Sequence, residues 1–431
     1  MGGGGTKEIG IETLEAWLIQ AGLRGESDHG LVSSFCERAV SAGLPVSRAL
    51  AIIDTLHPVY EGRVFRWGHD ESQPAIEEYG RTEWPEGVSG LDPSSGGAPP
   101  ETVARWRASP FFHLLQSGEG LLRRRITAEK DPEFPIFPEL LAAGMTDYVA
   151  MINRFGPEGT IGEMDCFYSS WVTARPDGFA DEHIAALTRL VPTLALAVKT
   201  AALTRMTGTL METYLGRDAG RRVLSGRIMR GVADRIDAVI WFSDLRGFTR
   251  ITQSTPEQII PLLNDYADVV ISAIHAHGGD VLKLMGDGIL AIFSADDRAR
   301  SCAAALAAAT DAHSNVAALN RRRARDRLPV TDMYLGLHVG EMFYGNIGST
   351  ERLDFTVVGP AVNETSRIAA MCRSAEQPML VSKAFADVEG MRERLVSVGR
   401  YALRGVAEPQ ELFTLDSSHT ASQPAGMGAD R

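Results

Sequence analysis

The sequence predicts a mixed α/β protein of two or three domains. Its 431 residues are too many for one domain of about 150 residues. Apolar runs typical of strands alternate along the chain with stretches of helical periodicity. Hydrophobic residues make up 44% of the chain and charged residues 23%, which is the composition of a globular protein. This composition excludes disorder, collagen-like repeats and a continuous coiled coil for most of the length of the chain.

The charge balance narrows the possible partners. A net charge of −12 would repel a nucleic-acid strand, so we expect no nucleic-acid partner, and any site for phosphate would need cations. The four cysteines lie far apart and form no CxxC pair, which indicates neither a zinc site nor a disulfide scaffold. We therefore expect a reducing, cytoplasmic location. The most apolar helical stretch contains Arg189, Pro192 and Lys199, so no membrane span is predicted.

Residues 1–55 are predicted to be a flexible start followed by short helices. Apolar residues recur at helical spacing there, and the last of them are Leu50, Ile52, Ile53 and Leu56. The glycine run after Met1 matches a myristoylation pattern. No hydrophobic or polybasic segment next to it supports membrane anchoring, so we expect a flexible terminus.

Residues 56–180 are predicted to form an α/β domain. Strand-like runs occur at residues 59–67, Asp147–Arg154 and Cys166–Thr173, and a Gly/Pro/Ser-rich connector covers residues 87–100. The last run precedes a turn and a long helix. This order resembles a GAF-type sensory domain, which implies a small-molecule or ion stimulus of unknown identity. The alternative is an α/β domain that only mediates dimerisation.

Residues 181–232 are predicted to be a connecting helix and a transducing segment. The helix begins near Ala180 and extends to about Leu215. Leu203, Met206 and Leu210 are spaced by three and then four residues, as in a two-stranded coiled coil. A helix packed on its own domain explains the same spacing.

The first chemical motif is residues 238–249, AVIWFSDLRGFT. Its apolar part predicts a buried strand with Asp244 at the end, where a carboxylate can face a cleft. Gly247 permits a tight turn before a helix. The backbone N–H groups of Gly247, Phe248 and Thr249 would then form a binding site for phosphate oxygens.

The second motif is residues 279–293, GDVLKLMGDGILAIF, which predicts a hairpin with Asp287 at or next to its turn. Two strands that each deliver one carboxylate could share divalent cations, because Asp244 and Asp287 both offer oxygen ligands.

The third block, residues 335–367, contains five glycines that predict short strands with tight connections. Asn363 and Arg367 are four residues apart on one face of the following helix, where an amide and a guanidinium can hold a sugar and a phosphate. The arginine-rich run 321–327 could suggest nucleic acid, but a solvated loop is the expectation.

Taken in order, these motifs resemble the catalytic domain of the class III adenylate/guanylate cyclases. The motifs are FSDLRGFT, Lys283 to Asp287, the Gly-Asn-Ile-Gly-Ser block with Thr356-Val-Val-Gly, and Asn363 with Arg367. The resemblance covers residues 233–415 and implies a ferredoxin-like, palm-type α+β fold there. The polar tail, residues 416–431, is predicted to be disordered.

The resemblance also implies roles for single residues. Asp244 and Asp287, with the backbone of Leu245, would bind two divalent cations, Mg²⁺ or Mn²⁺. Lys283 and Thr356 would read an adenine base, because guanylate cyclases typically show Glu and Cys at these two places.

The remaining roles concern the sugar and the phosphates. Asn363 would orient the ribose, and Arg367 would stabilise charge on the α-phosphate. Arg404 stands where the family has a lysine that contacts the terminal phosphates, and the two side chains are not interchangeable.

The implied function is an adenylate cyclase that converts ATP to 3′,5′-cyclic AMP and pyrophosphate. In that family the active site forms between two catalytic domains, so a chain with one such domain implies a homodimer regulated by its N-terminal domain. Two alternatives stay open, a guanylate cyclase and a catalytically silent nucleotide-binding module that signals by contact.

Overall fold

The computed structural model describes residues 8–69, 72–80, 100–128, 132–156, 164–294, 297–404, 406 and 408–416. The chain divides into two compact units, Met1–Leu210 and Met211–Arg431. Both contain helices and a sheet, which confirms the mixed α/β class. Most of the predicted connector at 87–100, the glycine run at the N-terminus and the C-terminal tail beyond Asp416 lie outside the described residues.

The first unit is built on a six-stranded antiparallel sheet with the strand order β3-β2-β1-β6-β5-β4. Its elements are α1 (Glu8–Leu23), α2 (Asp28–Ser41), β1 (Arg48–Asp54), β2 (Tyr60–Trp67), β3 (Ile76–Gly80), α3 (Pro100–Arg107), α4 (Pro110–Ser117), β4 (Leu121–Arg125), α5 (Phe137–Ala142), β5 (Asp147–Arg154), β6 (Cys166–Thr173) and α6 (Asp181–Leu215). The GAF-type resemblance stays a prediction.

Strand β1 corrects the predicted start of this domain. We expected helical structure up to Leu56, but residues 48–54 form a strand at the centre of the sheet. Ala51 and Ile53 face one hydrophobic cluster, while Leu50 and Ile52 face another. A strand covered on both faces is a continuous apolar run, and periodicity alone does not distinguish such a run from a buried helix.

Helix α6 packs on the first unit for much of its length. Met206 is buried in the same cluster as α1 and α2, and Leu203 and Leu210 pack against that cluster. These contacts favour a helix on its own domain over the coiled coil. By length and composition alone, α6 and the segment Pro256–Ala276 could each cross a membrane, so the absence of a span stays a prediction.

The second unit is built on an eight-stranded sheet with the order β13-β14-β12-β10-β7-β9-β8, and β11 pairs with β10. Its elements are α7 (Arg217–Leu224), β7 (Ala233–Leu245), α8 (Phe248–Ser254), α9 (Ile259–Ala276), β8 (Asp280–Met285), β9 (Gly288–Phe293), α10 (Arg298–Arg325), β10 (Met333–Gly348), β11 (Leu353–Val358), α11 (Pro360–Met371), β12 (Met379–Ser382), α12 (Lys383–Ala386), β13 (Leu395–Tyr401) and β14 (Gln410–Leu415), with 3₁₀ helices at Pro256–Gln258 and Arg392–Arg394.

The two faces of this sheet are covered by different helices. Val239 and Trp241 of β7 point to the face that α9 and α10 cover. Ala238 and Ile240 point to the opposite face, where they pack with residues of α7, β11 and α11. Because side chains alternate along a strand, Asp244 follows Ala238 and Ile240 onto this second face.

Strand β10 is one 16-residue strand and not the series of short strands that its glycines predicted. A Cβ atom on Gly336 would lie 2.6 Å from the nitrogen of Ala369 and 2.7 Å from the oxygen of Thr365. The glycine therefore allows α11 to pack directly on the sheet, and it does not mark a turn.

The arginine run at 321–327 also differs from its prediction. Residues 321–325 are the last turns of α10, and Arg323 is buried. Its Nε donates to the oxygen of Pro329, and its guanidinium forms an ion pair with Asp265. Arg323 therefore has a structural role, because its side chain connects α10 to α9.

The joint between α6 and α7 contacts the eight-stranded sheet. Gly216 has a φ of +88°, and a Cβ atom there would lie 2.3 Å from the carbonyl oxygen of Val281 on β8. A Cβ atom on Gly220 would lie 2.8 Å from the carbonyl carbon of Met211. Only glycine permits these approaches.

Candidate active site

Asp244 lies at the end of β7 in a half-buried position. Its Oδ1 atom is buried and has no hydrogen-bond partner among the described residues. Burial, together with the carboxylate of Asp287, raises the pKa of Asp244 to about 6. A carboxylate oxygen that is buried without a hydrogen-bond donor can bind a cation, because the cation would offset its negative charge.

Asp287 lies in the two-residue turn that joins β8 to β9, as the sequence predicted. Met285 pairs with Gly288, and Gly286 takes a φ of +65° in the first turn position. Glycine is the residue that a hairpin turn prefers there. The Oδ2 atom of Asp287 accepts a 3.2 Å hydrogen bond from the backbone N–H of Leu245.

The two aspartates fit a divalent cation site of a particular kind. The described residues contain no group of three or more His, Cys, Asp or Glu side chains that could hold a metal ion. Two carboxylates alone suit Mg²⁺, which binds one or two protein carboxylates and fills its other positions with water and substrate phosphates. The unpartnered Oδ1 of Asp244 is the observation that supports this fit.

Gly247 caps the short helix α8 with a φ of +70°. No side chain bonds to the N–H groups at this end of the helix in the described structure. The turn that the sequence predicted is therefore present. Contact of Gly247, Phe248 and Thr249 with phosphate stays a prediction.

Lys283 lies on β8 beside an irregularity in the pairing with β9. Its ammonium forms an ion pair with Asp354 of β11, and no hydrogen bond joins it to Thr356 in the described part of the chain. Burial, with the nearby charge of Arg352, lowers the pKa of Lys283. Thr356 is buried and pairs with Gly345 on β10.

Asn363 and Arg367 lie on α11, which Gly336 brings close to the sheet. Asn363 is exposed and Arg367 is half-buried, one turn further along the helix. Across the described residues, Arg367 forms no ion pair. Its guanidinium is thus available to an anion on the face that also carries Asp244.

Arg404 is exposed in the segment between β13 and β14. The preceding Leu403 is buried in a cluster with Ile368 and Cys372, at the C-terminal part of α11. This contact fixes the segment beside the helix that carries Arg367. Gly405, which follows, lies outside the described residues.

The structure thus brings some of the predicted site residues into contact and leaves others without contact. It links Asp244, Leu245 and Asp287 at one place, and it links Lys283 to Asp354 at another. In the described part of the chain, no hydrogen bond or ion pair connects these groups to Arg367. Sequence reasoning missed Asp354, although its place two residues before Thr356 on a strand puts both side chains on one face.

The family comparison decides what kind of domain this sheet belongs to. The family model described as "Adenylate and Guanylate cyclase catalytic domain" matches residues 232–417. The chain contains a class III adenylate/guanylate cyclase domain. The cyclase domain includes every predicted site residue, and the family resemblance in the sequence is confirmed for this part of the chain.

Curated relatives match about half of this chain. An uncharacterised protein of Mycobacterium tuberculosis is 31% identical over 209 residues, which are 47% of this chain and 37% of that protein. A second uncharacterised protein of the same organism is 32% identical over 210 residues, which are 47% of this chain and 38% of that protein. The chain thus spans little more than a third of the length of these curated relatives.

Solved structures of cyclases are similar to part of this chain. The crystal structure of the guanylyl cyclase Cya2 is 30% identical and covers 42% of this chain and 93% of that chain, with a TM-score of 0.37. The adenylyl cyclase CyaB from P. aeruginosa is 22% identical and covers 43% of this chain and 96% of that chain, with a TM-score of 0.40.

Proposed function

We propose that the protein is an adenylate cyclase that converts ATP to 3′,5′-cyclic AMP and pyrophosphate. The observation that carries the proposal is the Asp244 and Asp287 pair in a cyclase domain, with a buried carboxylate oxygen that lacks a partner. The preference for ATP rests on Lys283 and Thr356, which stand where guanylate cyclases typically show Glu and Cys.

In this proposal Asp244, Asp287 and the backbone of Leu245 hold two divalent cations, Mg²⁺ or Mn²⁺. When bound, such ions lower the pKa of the ribose 3′-hydroxyl and neutralise the triphosphate. The hydrogen bond from Leu245 restrains the Asp287 carboxylate next to Asp244, so that both side chains are preorganised as ligands.

The remaining residues position the nucleotide and offset its charge. The 3′-oxygen forms a bond to the α-phosphorus, the bond from that phosphorus to the pyrophosphate oxygen breaks, and the 3′-hydroxyl gives up its proton to water. Asn363 orients the ribose, Arg367 stabilises charge on the α-phosphate and Arg404 contacts the leaving phosphates. This reaction needs positioning and positive charge and no side-chain nucleophile.

We propose that the active form is a homodimer with two equivalent sites. One copy of the cyclase domain holds an uncompensated acidic pair, and its Arg367 pairs with no described carboxylate. Apolar side chains are also exposed on this domain: Leu284 and Met285 on the β8–β9 hairpin, and the cross-strand pair Phe343 and Val358, which follows Thr356 on β11. A second copy would cover these side chains and complete the charge balance.

The direct test is cyclic AMP formation by the purified full chain with ATP and Mn²⁺. Asp244→Ala should abolish it, whereas Asp268→Ala, an exposed aspartate on α9, should not. A parallel assay with GTP separates the two nucleotides. Activity retained in Asp244→Ala would overturn the metal assignment, and faster turnover of GTP would make the protein a guanylate cyclase.

We further propose that the first unit regulates this activity in response to a small molecule or ion, and that the protein acts in the cytoplasm. All four cysteines are free and buried, which is consistent with a reducing compartment. Fractionation of cells that express the tagged full chain tests the location, and recovery with membranes would contradict it.

A further inference from the structure

The turn that follows Asp244 is held by a distant segment of the cyclase domain. Residues 246–247 lead from β7 into α8. The N–H of Arg246 donates a 2.8 Å hydrogen bond to the carbonyl of Asp332, just before β10. The carbonyl of Arg246 accepts a 2.6 Å bond from Oγ1 of Thr331, whereas the carbonyl of Asp332 is 3.3 Å from that hydroxyl. Both backbone polar groups of Arg246 are therefore bound by this segment.

Thr331 itself is anchored by side chains of α9 and α10. Its side chain is buried, and its N–H donates a 2.8 Å bond to the hydroxyl of Tyr266, which is also buried. The carbonyl of Thr331 accepts a 3.0 Å bond from the side-chain amide of Asn320. Two residues earlier, the carbonyl of Pro329 accepts from Arg323. These bonds fix the backbone of Thr331 and so restrain the direction in which its hydroxyl points.

The bonds to Arg246 set the direction of the Leu245 carbonyl. In a trans peptide, the carbonyl of one residue and the N–H of the next point in opposite directions. Because the N–H of Arg246 points to Asp332 on the β10 side, the carbonyl of Leu245 points away from β10. The N–H of Leu245 donates to Asp287. The segment before β10 thus orients the backbone that lies between Asp244 and the turn.

The residue after Arg246 does not restrain the turn by itself. It is Gly247, with a φ of +70°. Glycine populates positive and negative φ about equally, so the peptide between Arg246 and Gly247 can rotate unless its carbonyl is held. The hydroxyl of Thr331 supplies that restraint. Without it the carbonyl would lose its partner and the turn would have a second conformation available.

We propose that Thr331 is a positioning residue that holds the turn after Leu245 and, through it, the divalent-cation site of Asp244 and Asp287. This inference rests on the proposed function. Thr331 acts only through the carbonyl of Arg246. Removal of such an outer partner of a metal site typically costs about 10- to 100-fold in metal affinity or activity. Loss of the hydroxyl should therefore weaken the binding of the cation.

The experiment compares the full chain with Thr331→Val, which lacks the hydroxyl and has nearly the same shape. With ATP as substrate, the Mn²⁺ concentration for half-maximal activity should rise at least about tenfold. KM for ATP at saturating Mn²⁺ should change by less than about twofold, because no contact with the nucleotide is removed. Without ATP, the Mn²⁺ concentration that gives half of the rise in melting temperature should increase by a similar factor.

Thr414→Val is the matched control. Thr414 is a buried threonine on β14 of the same sheet, and its hydroxyl donates a 2.9 Å bond to the carbonyl of Met379. Its loss should lower the melting temperature in EDTA but leave both Mn²⁺ concentrations unchanged. Thr331→Ser keeps the hydroxyl and should restore most of the Mn²⁺ affinity. If Thr331→Val does not fold, Tyr266→Phe removes the partner of the Thr331 N–H and should raise the same two concentrations.

The outcomes separate this inference from the proposed function. If the wild-type chain forms cyclic AMP but Thr331→Val leaves both Mn²⁺ concentrations unchanged, only the inference is overturned. The same holds if Thr414→Val raises them equally, or if Thr331→Ser behaves like Thr331→Val. A wild-type chain that binds Mn²⁺ but forms no cyclic nucleotide overturns the proposed function, and the melting comparison then decides the role of Thr331. A chain that neither binds Mn²⁺ nor forms cyclic nucleotide overturns both.

Discussion

The backbone N–H of Leu245 donates a hydrogen bond to the carboxylate of Asp287, which lies 42 residues later in the chain. The bond joins the end of one strand to the turn of a hairpin, next to Asp244. The Asp287 side chain is thus restrained by Leu245, the residue next to Asp244. This restraint suggests separate experiments on the charge of Asp287 and on its hydrogen bond.

Asp287→Asn keeps an acceptor for Leu245 but removes the charge. We expect cyclase activity to fall at least about 100-fold, because changes even in the outer shell of a metal site cost 10- to 100-fold. The melting temperature without metal should not fall and should rise slightly, because the variant keeps the acceptor for Leu245 and removes the repulsion of Asp244. Kinetics and thermal melting measure the two effects, and an active variant would show that Asp287 is not a metal ligand.

Asp244→Asn should stabilise the metal-free cyclase domain, since it removes a half-buried charge that Asp287 repels. The expected gain is about 1 kcal/mol after allowance for solvent screening, or about 3 °C in melting temperature. In wild type, Mn²⁺ should raise the melting temperature, because binding to the folded state stabilises it.

The metal-dependent rise should vanish in Asp244→Asn and persist in Asp268→Asn. Thermal melting in EDTA and in Mn²⁺ provides the comparison. An equal rise in melting temperature in all three proteins would show that the metal does not bind at Asp244.

Gly336→Ala should impair the enzyme without a change in any residue assigned to the substrate. The new methyl group would meet the backbone of α11, so the helix that carries Asn363 and Arg367 must shift. We expect a loss of about 2 kcal/mol in stability and more than about tenfold in activity. Gly208→Ala on α6 is the control, because outside that helix's own backbone no atom lies within 4 Å of the added Cβ.

Arg323→Ala should destabilise the cyclase domain by about 3 kcal/mol, because it leaves Asp265 and the oxygen of Pro329 without their partner. Arg322→Ala, on the exposed side of the same helix, should change stability by less than about 0.5 kcal/mol. Urea unfolding monitored by circular dichroism measures both. Equal effects would contradict the structural role of Arg323.

A truncated protein that begins at Met211 should fold and form cyclic AMP, because the second unit has its own sheet and core. Its activity should differ from that of the full chain by more than about twofold, since the first unit is proposed to regulate it. Assays of both proteins over a range of conditions test this. Equal activity throughout would remove the support for a sensory role.

The parts of the site that depend on local pattern could be predicted from the sequence. A Gly-Asp-Gly run between apolar segments predicts a turn at or next to Asp287, and an apolar run that ends in a carboxylate predicts the place of Asp244. Both features are set by residues close in sequence. The strand Cys166–Thr173 is predicted with its correct bounds for the same reason.

Features that depend on distant pairing were missed. The partner of Lys283 is set by a shift in strand pairing and by a hairpin some 70 residues later, and neither leaves a local signal. Residues 48–54 were interpreted as helical because a strand covered on both faces has no alternation to read. The glycines of β10 were interpreted as turns because the sequence does not show which helix packs against them.

Strand β8 contacts Gly216 at one point and leads to two predicted site residues at another. At Val281 the strand is in contact with the backbone that follows α6, and two residues later it carries Lys283. It then leads into the turn that contains Asp287. Since no side chain separates Gly216 from Val281, a displacement of that joint moves the strand itself, and Lys283 and Asp287 move together with it.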